Sequence, residues 1–236
     1  MFELFEDREQ AGRALAAALA HYRDEPGLLV LGLARGGLPV AAEVAAGLGA
    51  ELDVLVIRKI RAPGHPELAI GAVGPDQVRV LNEDIITQMG ISLAELVHAT
   101  HKARAELTER EHRYRLKRPA TPVRGRTVII VDDGLATGAS LEAAIASVRQ
   151  GQATRIITAI PVGVPDAVQR LESRSDQLIC LMAPKNFVAV SRWYRHFNQV
   201  SDDEVIACLN RFQKNTADGG PQSTDTHDSP HRPHHS

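Results

Sequence analysis

The sequence has little of what a secreted, disulfide-stabilised or membrane protein requires. It contains two cysteines in 236 residues, Cys180 and Cys208, and they form no CxxC pair, so neither a disulfide framework nor a cysteine zinc site is expected. No stretch without a charged residue exceeds ten residues, whereas a membrane-spanning helix needs about 20 apolar ones. The first ten residues carry acids where a secretory signal has a basic and then an apolar run. We therefore expect a cytoplasmic protein with no membrane partner.

An excess of one charge is also lacking, because the formal net charge is −2 at pH 7. Nucleic acid is therefore not an expected partner, since its phosphate backbone attracts strongly basic surfaces. Hydrophobic residues make up 44% of the chain and charged residues 24%, as in ordinary globular proteins. Residues 214–236 contain one apolar residue, Ala217. This composition predicts a disordered tail after a single domain over residues 1–213.

The rest of the chain alternates apolar strand patterns with amphipathic helix patterns. Strands are predicted at 28–33, 52–58, 67–74, 77–81, 127–131, 155–162 and 177–182. Helices are predicted at 7–22, 39–48 and 92–118, before Gly151, from Pro165 and from Ser201. Alternation of this kind predicts an α/β domain in which helices flank a mostly parallel, twisted sheet.

Residues 83–118 form the least standard part of this pattern, a long helical insertion. Ser92 and Glu95 are spaced as a capping box at the start of its main helix, which must end ahead of Pro119. Charged side chains dominate the insertion, so we expect a helix that is solvated or that contacts a second copy of the chain in a homodimer. Acids among its basic residues argue against an RNA-binding role.

The strongest functional signal is the segment Val128–Ser140, VIIVDDGLATGAS. Four strand-forming residues lead to Asp132 and Asp133, at the carboxyl end of a strand where open α/β sheets bind ligands. A helix is predicted after the small polar residues that follow, so the backbone amides of residues 137–140 would lie at its N-terminus and bind a monophosphate. The two acids just upstream are placed to accept hydrogen bonds from vicinal ribose hydroxyls.

A turn followed by a helix cap is the simpler explanation of Asp-Asp-Gly and the Thr and Ser residues. A turn and a cap alone, however, do not explain why an apolar strand, two acids and a Thr-Gly-small-Ser segment occur together. Neither Gly-x-x-x-x-Gly-Lys-[Ser/Thr] nor Gly-x-Gly-x-x-Gly occurs in the chain, which excludes a triphosphate P-loop and a dinucleotide fingerprint. The pattern favours a sugar-phosphate site.

This segment resembles the 5-phosphoribosyl 1-diphosphate (PRPP) binding motif of type I phosphoribosyltransferases. The resemblance implies a PRPP-dependent glycosyltransferase with Mg²⁺ as cofactor, in which Asp133 is catalytic. Asp132 and Asp133 would also contact the metal, mostly indirectly through PRPP and water. The implied substrate-binding residues of the motif are Asp132, Asp133, Gly134, Leu135, Ala136, Thr137, Gly138, Ala139 and Ser140.

The resemblance extends to GLARGGLPVA, residues 32–41, where the family has its pyrophosphate loop. It implies that Gly36 and Gly37 let backbone amides approach an anion and that Arg35 supplies positive charge for catalysis. Some family members have a cis peptide bond in this loop, and here the corresponding bond is Ala34–Arg35. A glycine turn before a helix is the alternative.

Residues 57–71 follow the second predicted strand, where the family carries a mobile catalytic loop. Arg58 and Lys59 resemble the basic pair of adenine-type enzymes, and the resemblance implies that both are catalytic. A solvated basic turn is the alternative.

The acceptor is less well defined. Ala136 stands where six-oxopurine enzymes carry an acid, which disfavours hypoxanthine and guanine, and Gly134 replaces a bulky apolar residue. The family recognises bases with a variable hood, here predicted at residues 186–200 with contributions from the N-terminus. Trp193 and Tyr194 lie in this segment, either as a stacking surface for a planar base or as part of a core or interface cluster.

Together these features predict a phosphoribosyltransferase that acts on a small-molecule nitrogen acceptor. The alternative is a PRPP-binding regulator without turnover that acts through a protein or RNA partner.

Overall fold

The computed structural model describes residues 4–115 and 119–217, with side chains as far as residue 212. The strands are β1 (Leu29–Leu33), β2 (Glu51–Leu55), β3 (Arg58–Ala62), β4 (His65–Val73), β5 (Arg79–Leu81), β6 (Thr127–Val131), β7 (Arg155–Val162) and β8 (Gln177–Met182). Five of them form a parallel sheet in the order β2-β1-β6-β7-β8, and β3, β4 and β5 form a separate antiparallel sheet.

Helices cover both faces of the parallel sheet. They are α1 (Arg8–Ala18), α2 (Gly37–Leu48), α3 (Glu83–Gln88), α4 (Leu93–Arg115), α5 (Ala139–Gln150), α6 (Pro165–Glu172) and α7 (Asp202–Ala217). Consecutive strand residues point to opposite faces, so Val30 packs in the cluster with α1, α2 and α7 while Leu31 packs in the cluster with α5 and α6. The predicted α/β class with a mostly parallel sheet is confirmed.

Local signals account for the ends of several helices. Asp7 caps α1 by accepting a hydrogen bond from the Gln10 amide at 2.7 Å, and Pro165 opens α6. The Ser92–Glu95 capping box is formed, with the Ser92 amide 2.9 Å from Glu95 Oε2.

Other boundaries differ from the prediction. The strand predicted to run to Arg58 stops at Leu55, because the chain leaves the parallel sheet there and Arg58 begins β3 of the second sheet. The helix predicted from residue 39 begins at Gly37. Helix α7 continues to Ala217, past the domain end predicted at 213. Of the predicted tail, residues 218–236 lie outside the described residues.

The insertion packs within the chain rather than standing in solvent. Leu96, Ala103, Leu107 and Tyr114 are buried on one face of α4 and belong to the main core cluster. The expectation of a solvated helix therefore holds only for the other face. Across residues 4–115 and 119–217, no helix combines the length and the apolar character that crossing a membrane requires.

Candidate active site

The candidate site lies at the ends of two adjacent strands of the parallel sheet, β1 and β6. Strand β6 ends at Val131 beside the end of β1, so Asp132 and Asp133 lie next to the loop that begins at Ala34. The Ala34–Arg35 peptide bond in that loop is cis, as the family resemblance implied. A Cβ atom added to Gly36 would lie 2.0 Å from Asp133 Oδ2 and would displace that carboxylate. A Cβ atom added to Gly37 would lie 2.6 Å from the Val131 carbonyl oxygen, so glycine at position 37 allows the two loops to approach this closely.

One residue that contacts this acid pair, Arg8, was not expected from the sequence pattern. Arg8, the first residue of α1, donates from Nε to Asp133 Oδ2 at 2.9 Å and places Nη2 2.8 Å from the same oxygen. Its Nη1 donates to the Asn198 carbonyl at 2.8 Å, and its guanidinium lies 3.9 Å from the centre of the Phe197 ring. An arginine at the start of a helix, where the dipole disfavours a cation, is a signal that could have identified it.

Each acid has one oxygen engaged by the protein. Asp133 Oδ2 accepts from Arg8, and Asp132 Oδ1 accepts from the Asp133 amide at 2.9 Å. Within the described residues, no hydrogen bond from another residue reaches Asp133 Oδ1 or Asp132 Oδ2. Two neighbouring carboxylates therefore each retain an oxygen that can accept a hydrogen bond from a ligand.

Burial and charge perturb both acids. Burial raises the pKa of Asp132 well above its usual range, and the carboxylate of Asp133 raises it further, while Arg8 and Lys59 oppose the shift. Burial also raises the pKa of Asp133 against the opposing charge of Arg8. Burial therefore penalises the ionised form of both acids. A hydroxyl donor or a cation that binds beside the carboxylates would offset this penalty.

The segment after the acids forms an ordered loop at the start of α5. The Leu135 amide donates to the Val162 carbonyl, and the Val164 amide donates to the Leu135 carbonyl, each at 2.9 Å. Gly138 has φ +88°, a left-handed conformation that favours glycine, and no side chain caps the first turn of α5. Thr137 is exposed and Ser140 is half-buried. The uncapped first-turn amides are therefore free to bind an anion.

The structure separates the predicted basic residues. Arg35 lies at the site loop, with Nη1 3.7 Å from Asp202 Oδ1 of α7. The charge of Lys59 lowers the pKa of Asp132 against the effect of burial, and Lys59 also lines a cavity between the β3–β4 hairpin and α4. Arg58 instead forms an ion pair with Glu106 of α4. Within the described residues, neither member of the predicted catalytic pair forms a hydrogen bond or an ion pair with the side chains of Asp132 and Asp133.

The two aromatic residues predicted to contact a base lie in the core. Trp193 and Tyr194 are 9% and 5% exposed and share a cluster with Ala11 and Val162. Tyr194 Oη donates to the Asp133 carbonyl at 2.6 Å, which fixes the backbone of the site. Burial leaves neither ring face open to a base, so the structure favours the core alternative over the stacking surface predicted for these two residues.

The acid pair is compatible with magnesium. In the described part of the chain, no group of three or more His, Cys, Asp or Glu side chains forms a metal cage. Mg²⁺ prefers oxygen ligands and keeps several waters, with one or two protein carboxylates and substrate phosphates completing its shell. The unshared oxygens of Asp132 and Asp133 meet that requirement.

Comparison with known proteins identifies the family. Residues 3–195 match the family model for the phosphoribosyl transferase domain. Two proteins from strains of Mycobacterium tuberculosis, each provisionally named a phosphoribosyl transferase, are 45% identical over 218 residues, 92% of this chain. The match covers 49% of each relative, so the chain spans about half their length. The crystal structure of TT1426 from Thermus thermophilus is 43% identical, with a TM-score of 0.76 over 89% of this chain and 99% of that one. This chain belongs to the phosphoribosyl transferase domain family.

Proposed function

We propose that this chain transfers the 5-phosphoribosyl group of PRPP to a nitrogen acceptor and releases pyrophosphate. One observation carries the proposal: two adjacent carboxylates, each with one oxygen held by the protein and one unshared, precede a helix N-terminus with uncapped amides. A furanose phosphate has matching groups, because its vicinal hydroxyls are donors and its 5-phosphate is an anion.

The acids would bind the sugar. Asp132 Oδ2 and Asp133 Oδ1 would each accept a hydrogen bond from one hydroxyl of the ribose. Arg8 and the Asp133 amide hold the opposite oxygens, so the carboxylates are oriented before the ligand arrives and little ordering is needed on binding.

The first turn of α5 would bind the 5-phosphate. Backbone amides of residues 137–140 and the hydroxyls of Thr137 and Ser140 supply neutral donors, and the helix dipole favours the negative charge. This contact lies away from the reacting carbon, so its binding energy would serve to position that carbon for reaction.

The leaving pyrophosphate would lie between the loop after β1 and strand β3. Arg35 and Lys59 would compensate its charge, and Gly36 and Gly37 leave room for close approach of the backbone. Mg²⁺, when bound beside Asp132 and Asp133, would supply further charge neutralisation of the diphosphate. In the reaction the bond from carbon 1 to the pyrophosphate oxygen breaks, the bond to the acceptor nitrogen forms, and the acceptor loses a proton. The ionised acids beside the sugar stabilise the positive charge that develops on it.

Release of pyrophosphate from PRPP and Mg²⁺, measured with a panel of nucleobases, tests this function. We expect release that depends on one acceptor and falls by at least about a hundredfold in Asp133→Asn, by analogy with other losses of transition-state stabilisation. Asp84→Asn, at an exposed acid of α3, is the matched control and should retain the wild-type rate. Tight PRPP binding without release for any acceptor would instead indicate the regulatory alternative.

A further inference from the structure

One cavity is lined by neither the acid pair nor the loop after β1. It has a volume of about 640 Å³ and lies between the β3–β4 hairpin and the first half of α4. This volume is within the range of sites that bind small organic molecules. Of the residues with a role in the proposed function, Lys59 also lines this cavity. Its lining is otherwise distinct from the proposed active site.

Positive charge predominates on the walls of this cavity. Four Lys and Arg side chains line it against two acidic ones. Glu95 already accepts the hydrogen bonds of the capping box, and Glu106 is paired with Arg58. Lys102, in contrast, forms no hydrogen bond or ion pair with another residue of the described chain. The cavity therefore has positive charge to offer to an anion from solution.

Three of the cations converge on one acid at the cavity wall. Arg58, Lys102 and Arg61 each lower the pKa of Glu106, and the hydrogen bond from Arg58 is the main cause. Arg61 also donates to the Pro66 carbonyl, which holds its guanidinium at the hairpin. Because Arg58 already neutralises Glu106, the charges of Lys102 and Arg61 can act on a ligand.

The rest of the wall is apolar on both sides. Small residues line it, from the hairpin Ala62, Pro63 and Pro66 and from the helix Ala94, Ala99 and Ala103. An apolar group placed between them would remove water from both walls, which favours binding. The cavity thus combines a cationic region with an apolar one.

We infer that this cavity binds a phosphomonoester with an apolar body. Its phosphate lies beside Lys102 and Arg61, and its body lies between the alanine and proline residues of the two walls. A phosphate suits two cations because it carries up to two negative charges and three strong acceptor oxygens. Such a ligand would bridge the hairpin and the insertion. The inference goes beyond the proposed function, since the acid pair takes no part in it.

The test uses the full chain and 1-naphthyl phosphate as the probe, titrated calorimetrically. Inorganic phosphate and neutral 1-naphthol should each bind at least about tenfold more weakly, because each lacks one half of the probe. Lys102 is exposed, so its variants should fold as the wild type does. Lys102→Gln should weaken binding by up to about fivefold and Lys102→Glu by more, whereas Lys102→Arg should retain it. Arg110→Gln is the matched control, because it removes a charge from α4 outside the cavity lining.

Three results would overturn the inference. Equal binding of the probe by Lys102→Gln and the wild type would show that the phosphate lies elsewhere. Equal affinity for inorganic phosphate and the probe would show that the apolar walls take no part. Displacement of the probe by ribose 5-phosphate would place it in the proposed active site. The proposed function is tested separately, by pyrophosphate release, and would stand if the wild type failed to bind the probe, a result that also overturns this inference.

Discussion

Removing the guanidinium of Arg8 would leave the carboxylate of Asp133 buried without its partner. The two side chains are only 10% and 16% exposed, and loss of one partner from a buried ion pair typically costs about 3–5 kcal/mol. For a domain of this size each kcal/mol lowers the melting temperature by about 2–4 °C. We therefore expect Arg8→Ala to melt about 6–20 °C below the wild type at neutral pH.

The pH dependence of this loss follows from Asp133. Burial already raises the pKa of Asp133, and Arg8 opposes that shift, so the pKa should rise further in Arg8→Ala. The penalty arises from the ionised carboxylate, so it should be largest above that pKa and should shrink as the pH falls and the carboxyl is protonated.

Thermal unfolding of Arg8→Ala, Asp133→Asn and the double variant measures the coupling between the two residues. Arg8→Ala should cost much less in the Asp133→Asn background, because no buried charge is then left unpaired. Arg8→Lys keeps the charge but loses the planar fork and should fall between the wild type and Arg8→Ala. A melting temperature of Arg8→Ala within about 2 °C of the wild type, or equal costs in both backgrounds, would refute this reasoning.

Two further predictions concern the same site. Burial raises the pKa of Asp132 above its usual value of 3.8, so the folded protein binds this proton more tightly than the unfolded chain does. The resulting stability is fully present below pH 3.8 and is lost as the pH rises through the raised pKa. Asp132→Asn should therefore unfold at a higher temperature than the wild type at pH 7, and the difference should vanish in acid. Its affinity for PRPP should fall. A variant less stable than the wild type at pH 7 would contradict this prediction. Gly36→Ala should weaken PRPP binding because its Cβ would displace the Asp133 carboxylate that Arg8 holds, and calorimetry can measure the effect. Gly27→Ala, at φ +71° with nothing within 4 Å of a Cβ, should lower stability but leave PRPP affinity unchanged.

Local patterns were sufficient to predict much of the fold. Apolar runs identified the parallel strands, since strands buried on both faces carry continuous hydrophobic sequence. Capping residues such as Asp7 and Ser92 located helix starts because their hydrogen bonds involve neighbours in the chain. The acids after β6 were predicted correctly as part of a local pattern, because the strand, the two acids and the start of the helix follow one another in the sequence.

Long-range contacts were outside the reach of such patterns. Arg8 and Asp133 are separated by 125 positions, and no periodicity connects them. The apolar run that continues from β2 gave no sign that Arg58 belongs to a second sheet. Local aromatic enrichment could not distinguish a ligand surface from a core, and the burial of Trp193 and Tyr194 was decided by packing against Ala11 and Val162.

The position of bound PRPP is the most direct test of this account. In a crystal structure with PRPP and Mg²⁺, we expect the ribose hydroxyls on Asp132 Oδ2 and Asp133 Oδ1 and the 5-phosphate at the amides of residues 137–140. Diphosphate density should lie beside Arg35 and Lys59. A sugar bound elsewhere, or a 5-phosphate away from the start of α5 while the acids remain unliganded, would contradict the central claim.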